Sequence, residues 1–475
     1  MSAGAPNRKA FEALLNTWNP ADRLTLVDHL GWTDDSFKTF MMSDKLALGD
    51  DKVIMQNPAI TSANGSCGCS GTLLEWRENV SKKCIDNPLL IRAVSHAFAG
   101  ALLAPLDLEG GGLHLRGESS SGKTTLLKVA LSVWGRPDQS NWATTSNALE
   151  ATLAAANSTL LAIDELGSVS GKAAYDAVYM MGNGAGKARA RSDGSAAEIA
   201  RWRTSVLSTG EITLQEKMAE DGRVKQNGQE VRLLDISADT RPFSSFDYLH
   251  GSADAGAFAD SLRDVSLTFH GTAGRAFVQK LLKQEDLFER AKRPSVKIQG
   301  SLLANKRDSG GVVKRAAMRF AIVATAGEIA TNLGLTGWSK GAALAAAKVI
   351  FQDWFEGRED SVSVQISPEQ FQVAILRIVE FERRSAEQIH DLAGPKVGTP
   401  VAYRDEEHLF LPTTTWESLH GDHNPAGLPR MFKAAGMMTA GEDKNLQRKL
   451  PRVFGANGSR GYALKLCELQ KRSEQ

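Results

Sequence analysis

Cysteine is scarce in this chain, with four in 475 residues. That is too few for a disulfide scaffold, and Cys67, Cys69 and Cys84 lack the second C-x-x-C or well-placed histidine that would complete a zinc set. No apolar run approaches about 18 residues, so no membrane-spanning helix is expected. The first residues lack the basic-then-apolar pattern of a secretory signal. A reduced, cytoplasmic chain is the expectation. Net charge is scarce too: 56 Lys and Arg against 55 Asp and Glu leave +1. No global field therefore marks a nucleic-acid binder, and any such contact must come from local patches. Internal repeats and low-complexity segments are absent. Hydrophobic residues at 42% and charged residues at 23% place the chain among ordinary globular proteins. Its length suits two to four domains.

Against that plain background one run of eight residues stands out: Gly117-Glu118-Ser119-Ser120-Ser121-Gly122-Lys123-Thr124. It fits G-x-x-x-x-G-K-[ST], the loop that cradles phosphates. Residues 112–116 before it can form a short buried strand, and residues 125–131 after it have helical apolar spacing. A strand, a glycine-rich turn and a helix start aim backbone N–H groups and the positive helix end at one point, which suits a polyphosphate. Residues Gly117 to Thr125 are the expected nucleotide-binding set. Lys123 would reach the β- and γ-phosphates and the Thr124 hydroxyl would hold Mg²⁺. About 40 residues on, Thr159-Leu160-Leu161-Ala162-Ile163-Asp164-Glu165 is an apolar strand ending in two acids. In P-loop enzymes the first acid, here Asp164, supports Mg²⁺, and the second, Glu165, can activate the attacking water. Together the two motifs predict an NTPase using ATP and Mg²⁺.

Three further features narrow the class. Gly186-Lys187-Ala188-Arg189-Ala190-Arg191 alternates with period two, and Ser192-Asp193-Gly194-Ser195 is a turn. Residues 196–202 can be the returning strand, so this is a hairpin signal with Lys187, Arg189 and Arg191 on one face. Such a basic hairpin can grip the phosphates of single-stranded DNA in a ring channel. The plainer reading is a solvated ribbon whose arginines keep an edge soluble. Next, residues 204–211 form an apolar strand ending in hydroxyls, where Thr209 or Ser208 could touch the γ-phosphate or its water as sensor 1. Last, Arg232 leads directly into the apolar strand 233–236. Its planar, always-charged fork suits a neighbour's nucleotide as an arginine finger, or else a structural ion pair.

For organisation, residues 1–75 read as a small N-terminal module, 76–245 as the P-loop core and 246–360 as mostly helical. Residues 361–475 differ in texture. Ser367-Pro368-Glu369-Gln370 resembles a helix start. Short helices at 416–419 and 425–435 and strands at 448–454 and 462–466 then make a winged-helix pattern. Residues 441–475 carry 8 Lys and Arg against 4 Asp and Glu, an excess of 4.

The strings G-G-L-H-L-R-G-E-S-S-S-G-K-T-T, S-V-W-G, A-T-T-S-N-A-L-E, A-I-D-E-L, L-S-T-G-E, H-G-T-A-G-R-A-F and R-F-A-I-V-A-T-A-G-E-I-A resemble one family. It is the domain-of-unknown-function nine-two-seven family of phage, plasmid and genomic-island proteins, and the likeness runs from about residue 31 to 466. The family resembles the AAA+ helicases of mobile elements and has a layout similar to the minichromosome-maintenance helicases. The resemblance implies an α/β fold: an AAA+ P-loop core with a doubly wound parallel sheet, a helical lid and a C-terminal winged-helix-like domain. It also implies a homo-oligomeric ring, expected to be a hexamer, acting on single-stranded and forked DNA in replication, with a primase or other replication partner. Carried over by position, Lys123 and Thr124 match Walker A and Asp164 and Glu165 match Walker B. Thr209 falls at sensor 1, and Arg232 matches the finger. Sensor 2 falls among Lys314, Arg315 and Arg319, with Arg315 preferred. No primase constellation is visible. A DNA loader or initiator without processive unwinding, and a protein-remodelling ATPase, stay open as alternatives.

Overall fold

The computed structural model describes residues 5–18, 22–56, 68–189, 195, 199–221, 231–284, 287–304, 310–357, 368–392, 401–420, 428–439, 448–450 and 460–473. The chain divides into two units, Met1–Phe355 and Glu356–Gln475, so residues 1–75, 76–245 and most of 246–360 share the first. Helix α1 (Ala5–Thr17) precedes five short strands, β1 (Thr25–Val27), β2 (Gly31–Trp32), β3 (Phe40–Met41), β4 (Ala47–Leu48) and β5 (Val53–Met55). Strands β1 and β5 pair in parallel, and β2, β3 and β4 form an antiparallel sheet. Helix α1 ends at Thr17, ahead of Pro20, which disfavours helical backbone at the residue before it.

Residues 73–103 carry two helices. Thr72 and Glu75 form a capping box for α2 (Leu73–Asn79). A 3-10 turn at Ser81–Cys84 follows, and α3 (Pro88–Leu103) starts with Pro88 where its missing N–H costs nothing. Every α3 residue from Leu89 to Leu103 is buried. A helix buried on all sides is a core helix, and α3 is the spine on which the sheet and later helices pack.

The core alternates strand and helix: β6 (Gly111–Arg116), α4 (Lys123–Leu131), β7 (Ser140–Asn141), α5 (Ser146–Ala155), β8 (Leu160–Asp164), α6 (Gly171–Asn183), β9 (Ser205–Gly210), α7 (Leu214–Ala219) and β10 (Leu233–Ser237). The five strands are parallel in the order β10-β6-β9-β8-β7. Side-chain alternation gives β6, β8 and β9 two buried faces. Leu160 and Ala162 of β8 join the cluster containing α3 and α4, while Leu161 and Ile163 join the one containing α5 and α6. Burial on both faces explains the unbroken apolar runs of the sequence. Helices α8 (Ala255–Thr268), α9 (Thr272–Leu281), α10 (Leu287–Leu303), α11 (Gly311–Asn332) and α12 (Ala342–Glu356) complete the unit.

The second unit begins with α13 (Pro368–Arg384), β11 (Ile389–Asp391), β12 (Ala402–Arg404), β13 (His408–Pro412) and α14 (Thr413–His420). It continues with α15 (Leu428–Ala434), β14 (Met438–Thr439), β15 (Arg448–Lys449), β16 (Arg460–Lys465) and α16 (Leu466–Ser473). Its sheet runs β11-β12-β13-β16-β14, with β15 also on β16, over a core of Phe371, Trp416, Phe432 and Tyr462. The β12–β13 hairpin has no counterpart in the sequence reading. Its turn is closed by Asp405, whose Oδ1 accepts the N–H groups of Glu407 and His408 at 2.9 and 2.7 Å. Ser367 and residues 451–459 of the expected wing lie outside the described residues.

Candidate functional site

The phosphate loop leaves the C-terminal end of β6 and enters α4. Gly122 turns it with φ of +97° and is the N-cap of α4, with no side chain bonding the first-turn N–H groups. A helix start left open in this way is an anion seat. Lys123 is 8% exposed. Its Nζ donates to Gly117 O at 2.8 Å, Glu118 O at 2.5 Å and Ser121 Oγ at 3.1 Å. All three acceptors are neutral, so the ammonium rests on its own loop with no bonded counter-charge. Burial lowers its pKa, and the charges of Glu211, Asp239 and Asp164 act the other way. Glu118, Ser119 and Ser120 are exposed along the loop. Thr125 turns inward, and its buried hydroxyl has no partner among the described residues.

The sheet order places β9 between β6 and β8, which brings three expected residues together. Thr124 Oγ1 donates to Asp164 Oδ2 at 3.0 Å, and Thr209 Oγ1 donates to Asp164 Oδ1. A hydroxyl and a carboxylate side by side are the hard oxygen donors that Mg²⁺ takes, usually keeping several waters. The donor set, the open helix start and an ammonium with no salt-bridge partner among the described residues fit a Mg²⁺-bound polyphosphate.

Ser208, the other candidate for sensor 1, faces the opposite side of β9. It accepts from Trp142 Nε1 at 2.8 Å and lies 2.9 Å from His114 Nδ1. His114 Nε2 lies 3.0 Å from the carbonyl of Ile212, which can only accept, so the proton sits on Nε2. Burial lowers the His114 pKa and keeps this ring neutral.

Glu165 is exposed beside Asp164, in left-handed backbone with φ of +70° and ψ of 60°. It is met by a residue the sequence reading missed. Strand β7 sets Asn141 opposite Asp164 in register, and Asn141 Nδ2 donates to Glu165 Oε2 at 3.0 Å. The Asn141 carbonyl accepts Ala143 N–H at 2.7 Å, which fixes the amide orientation. A lone Asn ending a two-residue strand gave no signal in the sequence.

Arg232 and Arg315 are not at this loop. Arg232 precedes β10, at the sheet edge opposite the loop. It stacks over Tyr179, 5.0 Å from the ring centre, and donates to Asn183 Oδ1 at 3.0 Å. Arg319 bonds the carbonyls of Val231 and Gly110, each at 2.9 Å, at that same edge. Arg315 is exposed one turn earlier, with Gly311 O at 3.4 Å from Nε.

The hairpin base is paired: Ala185 bridges Arg201 antiparallel, and Gly186 N–H donates to Ala200 O at 2.9 Å. Lys187 is exposed, while Arg191 and most of the tip lie outside the described residues. Arg189 is engaged elsewhere. Its guanidinium holds Glu150 of α5 in a fork at 2.7 and 2.8 Å and also donates to Asn147 at 3.1 Å. This contact draws the Glu150 pKa down. Glu150 is only 5% exposed, between the buried Leu149 and Leu153. A charge on the apolar face of a helix was the available signal, since such a group needs a partner.

Comparison with known proteins adds two findings. The family model for a domain of unknown function, DUF927, matches residues 2–201. The match ends at the hairpin, so the strings L-S-T-G-E, H-G-T-A-G-R-A-F and R-F-A-I-V-A-T-A-G-E-I-A lie beyond it. Among solved structures, the chain is similar to SCCmec type IV Cch, described as an active helicase. The TM-score is 0.62 at 18% identity, over 98% of this chain and 84% of that one. At that identity the likeness is one of fold. No curated protein matches the chain. No helix among the described residues is long and apolar enough to cross a membrane.

Proposed function

We propose that this chain is an ATP-hydrolysing DNA helicase or translocase of a phage or other mobile element, working in the cytoplasm as a ring of identical subunits. The observation that carries the reading is the meeting of Thr124, Asp164 and Thr209 beside the buried Lys123, whose bonded acceptors are all neutral. The strand order, with the Thr209 strand between those of the loop and the acids, supports an AAA+ core. A likeness of fold to an active helicase agrees with it.

In this reading Lys123 and the N–H groups at the start of α4 hold the phosphates, and Thr124 and Asp164 hold Mg²⁺. The cation, when bound, offsets charge on the transferring phosphoryl group. Glu165, released from Asn141, orients water and accepts its proton. Thr209 reports on the γ-phosphate, and Arg232 reaches the site of the next copy. Residues 246–360 form a lid carrying sensor 2. Helices α14 and α15 with the β15–β16 ribbon form a winged-helix-like DNA contact. Lys187 and Arg191 grip a single strand, and a primase or other replication protein acts beside the ring.

One observation favours the runner-up, an ATP-switched loader or initiator: Arg189 is bonded to Glu150 and so is withheld from DNA. The test is ATP turnover without DNA, with single strands and with forks, plus strand displacement on the fork. Lys123→Ala is the blank and should abolish turnover. Stimulation by single strands with displacement is expected. Stimulation without displacement would select the loader, and turnover indifferent to DNA would sink both.

A further inference from the structure

We propose that Asp239, outside the expected nucleotide-binding set, is a positioning residue that tunes how tightly the phosphate loop holds its nucleotide. This rests on the nucleotide reading above. Ala238 N–H donates to Arg116 O at 2.7 Å, closing the ladder between β10 and β6. The next side chain is thereby delivered to the first turn of the loop. Asp239 Oδ2 accepts the N–H of Glu118 at 2.9 Å. The carboxylate lies so close to Gly117 that a Cβ built there would stand 2.8 Å from it. This contact explains the first glycine of the loop, whose backbone angles make no special demand.

The strap that follows, residues 240–250, braces the loop at two more points. Ser244 donates its hydroxyl to Ser121 O at 3.1 Å, and the Phe246 ring would stand 2.9 Å from a Cβ on Gly122. The strap is itself held. Asn87 accepts the N–H groups of Asp247 and Tyr248 at 2.8 and 3.1 Å, and Arg241 pairs with Asp353. Asp239 is thus a fixed part of the loop's backing.

Its two properties act in opposite directions. As an acceptor it holds the start of the loop in one shape, which favours phosphate binding by preorganisation. As an anion it stands near Lys123, together with Glu211 and Asp164, and opposes an incoming polyphosphate. The charge of Asp164 is answered by the cation it would hold. Asp239 bonds a backbone N–H and pairs with no cation among the described residues. An acid here keeps the loop shaped while preventing it from retaining product.

Two substitutions separate the properties. Asp239→Asn keeps an acceptor oxygen and removes the charge, whereas Asp239→Ala removes both. The readouts are Mg·ADP affinity, KM, kcat and thermal midpoint of the full-length chain. Asp239→Asn should bind Mg·ADP about tenfold tighter, about 1.4 kcal/mol, with a lower KM. Asp239→Ala should bind more weakly than Asp239→Asn by at least about tenfold, with the change falling on KM and not on kcat. Unchanged affinity in both variants, or equal shifts in one direction, would overturn the proposal. So would a shared fall in midpoint, kcat and affinity, the mark of a merely structural role. Wild type that binds no nucleotide would overturn the underlying reading instead.

Discussion

The two edges of the central sheet are built from opposite chemistry. At the C-terminal edge stand a lysine, two hydroxyls and the carboxylates Asp164, Glu165 and Asp239. At the N-terminal edge stand guanidiniums, Arg232 and Arg319, with the buried Arg92 close by. Along β10 the edges are five residues apart, about 16 Å at about 3.3 Å per residue. A guanidinium at one edge therefore cannot reach the loop at the other edge of the same chain, and the finger proposed for Arg232 requires a second copy. The N-terminal edge also holds a contrast of its own. Arg319 bonds two carbonyls, and burial draws its pKa down to about 10, leaving it charged at neutral pH. Arg232 is half-buried, over Tyr179. One arginine fastens α11 to the sheet, and the other is held against α6 through Tyr179 and Asn183.

After Lys123→Ala, breaking Arg232 should have the largest effect. Arg232→Ala is expected to lower turnover by on the order of 10³-fold or more, and mixing it with Lys123→Ala subunits should restore part of it. A mixture as inert as either parent would end the idea that the edges meet between copies. Arg319→Ala should act through stability, since it leaves the carbonyls of Gly110 and Val231 unbonded. A loss of about 2–4 kcal/mol in urea unfolding is expected, with turnover per folded molecule near wild type. Lost turnover at full stability would instead move Arg319 into the chemistry.

The smallest effect concerns the hairpin. With Arg189 held by Glu150, the triple Lys187/Arg189/Arg191→Ala variant should flatten the log–log salt dependence of single-strand binding by about 1.4. That is two contacts at about 0.7 each; about 2.1 would mean that all three arginine and lysine side chains grip phosphate. Glu150→Gln should release Arg189 and steepen the wild-type slope by about 0.7, and an unchanged slope would leave Arg189 a fastening of the hairpin base.

Local signals carried far into this molecule where one residue's chemistry depends on its near neighbours. Gly122 before Lys123 announces a glycine-rich turn and a helix start, and the apolar run ending in Asp164 announces a strand. The hairpin base was legible from alternation, and Pro368 marked the start of α13. The β12–β13 hairpin was missed because its polar run, residues 404–408, reads as loop until Asp405 is seen closing a turn. Alternation also decided between Ser208 and Thr209, once the neighbouring strands showed which face met Asp164.

What the sequence by itself determined is the phosphate loop, the acidic strand and the alternation of strands and helices that carries them, because each rests on backbone preferences within a few residues. Only the tertiary structure decided which side chains meet: Thr209 with Asp164, Asn141 with Glu165, Asp239 with Glu118 and Glu150 with Arg189. Those pairs are 45, 24, 121 and 39 residues apart. Strand order sets two of them, and the packing of a loop or helix sets the others. Neither leaves a periodic trace in a single chain, since a buried polar group needs a partner without prescribing where in the sequence it lies.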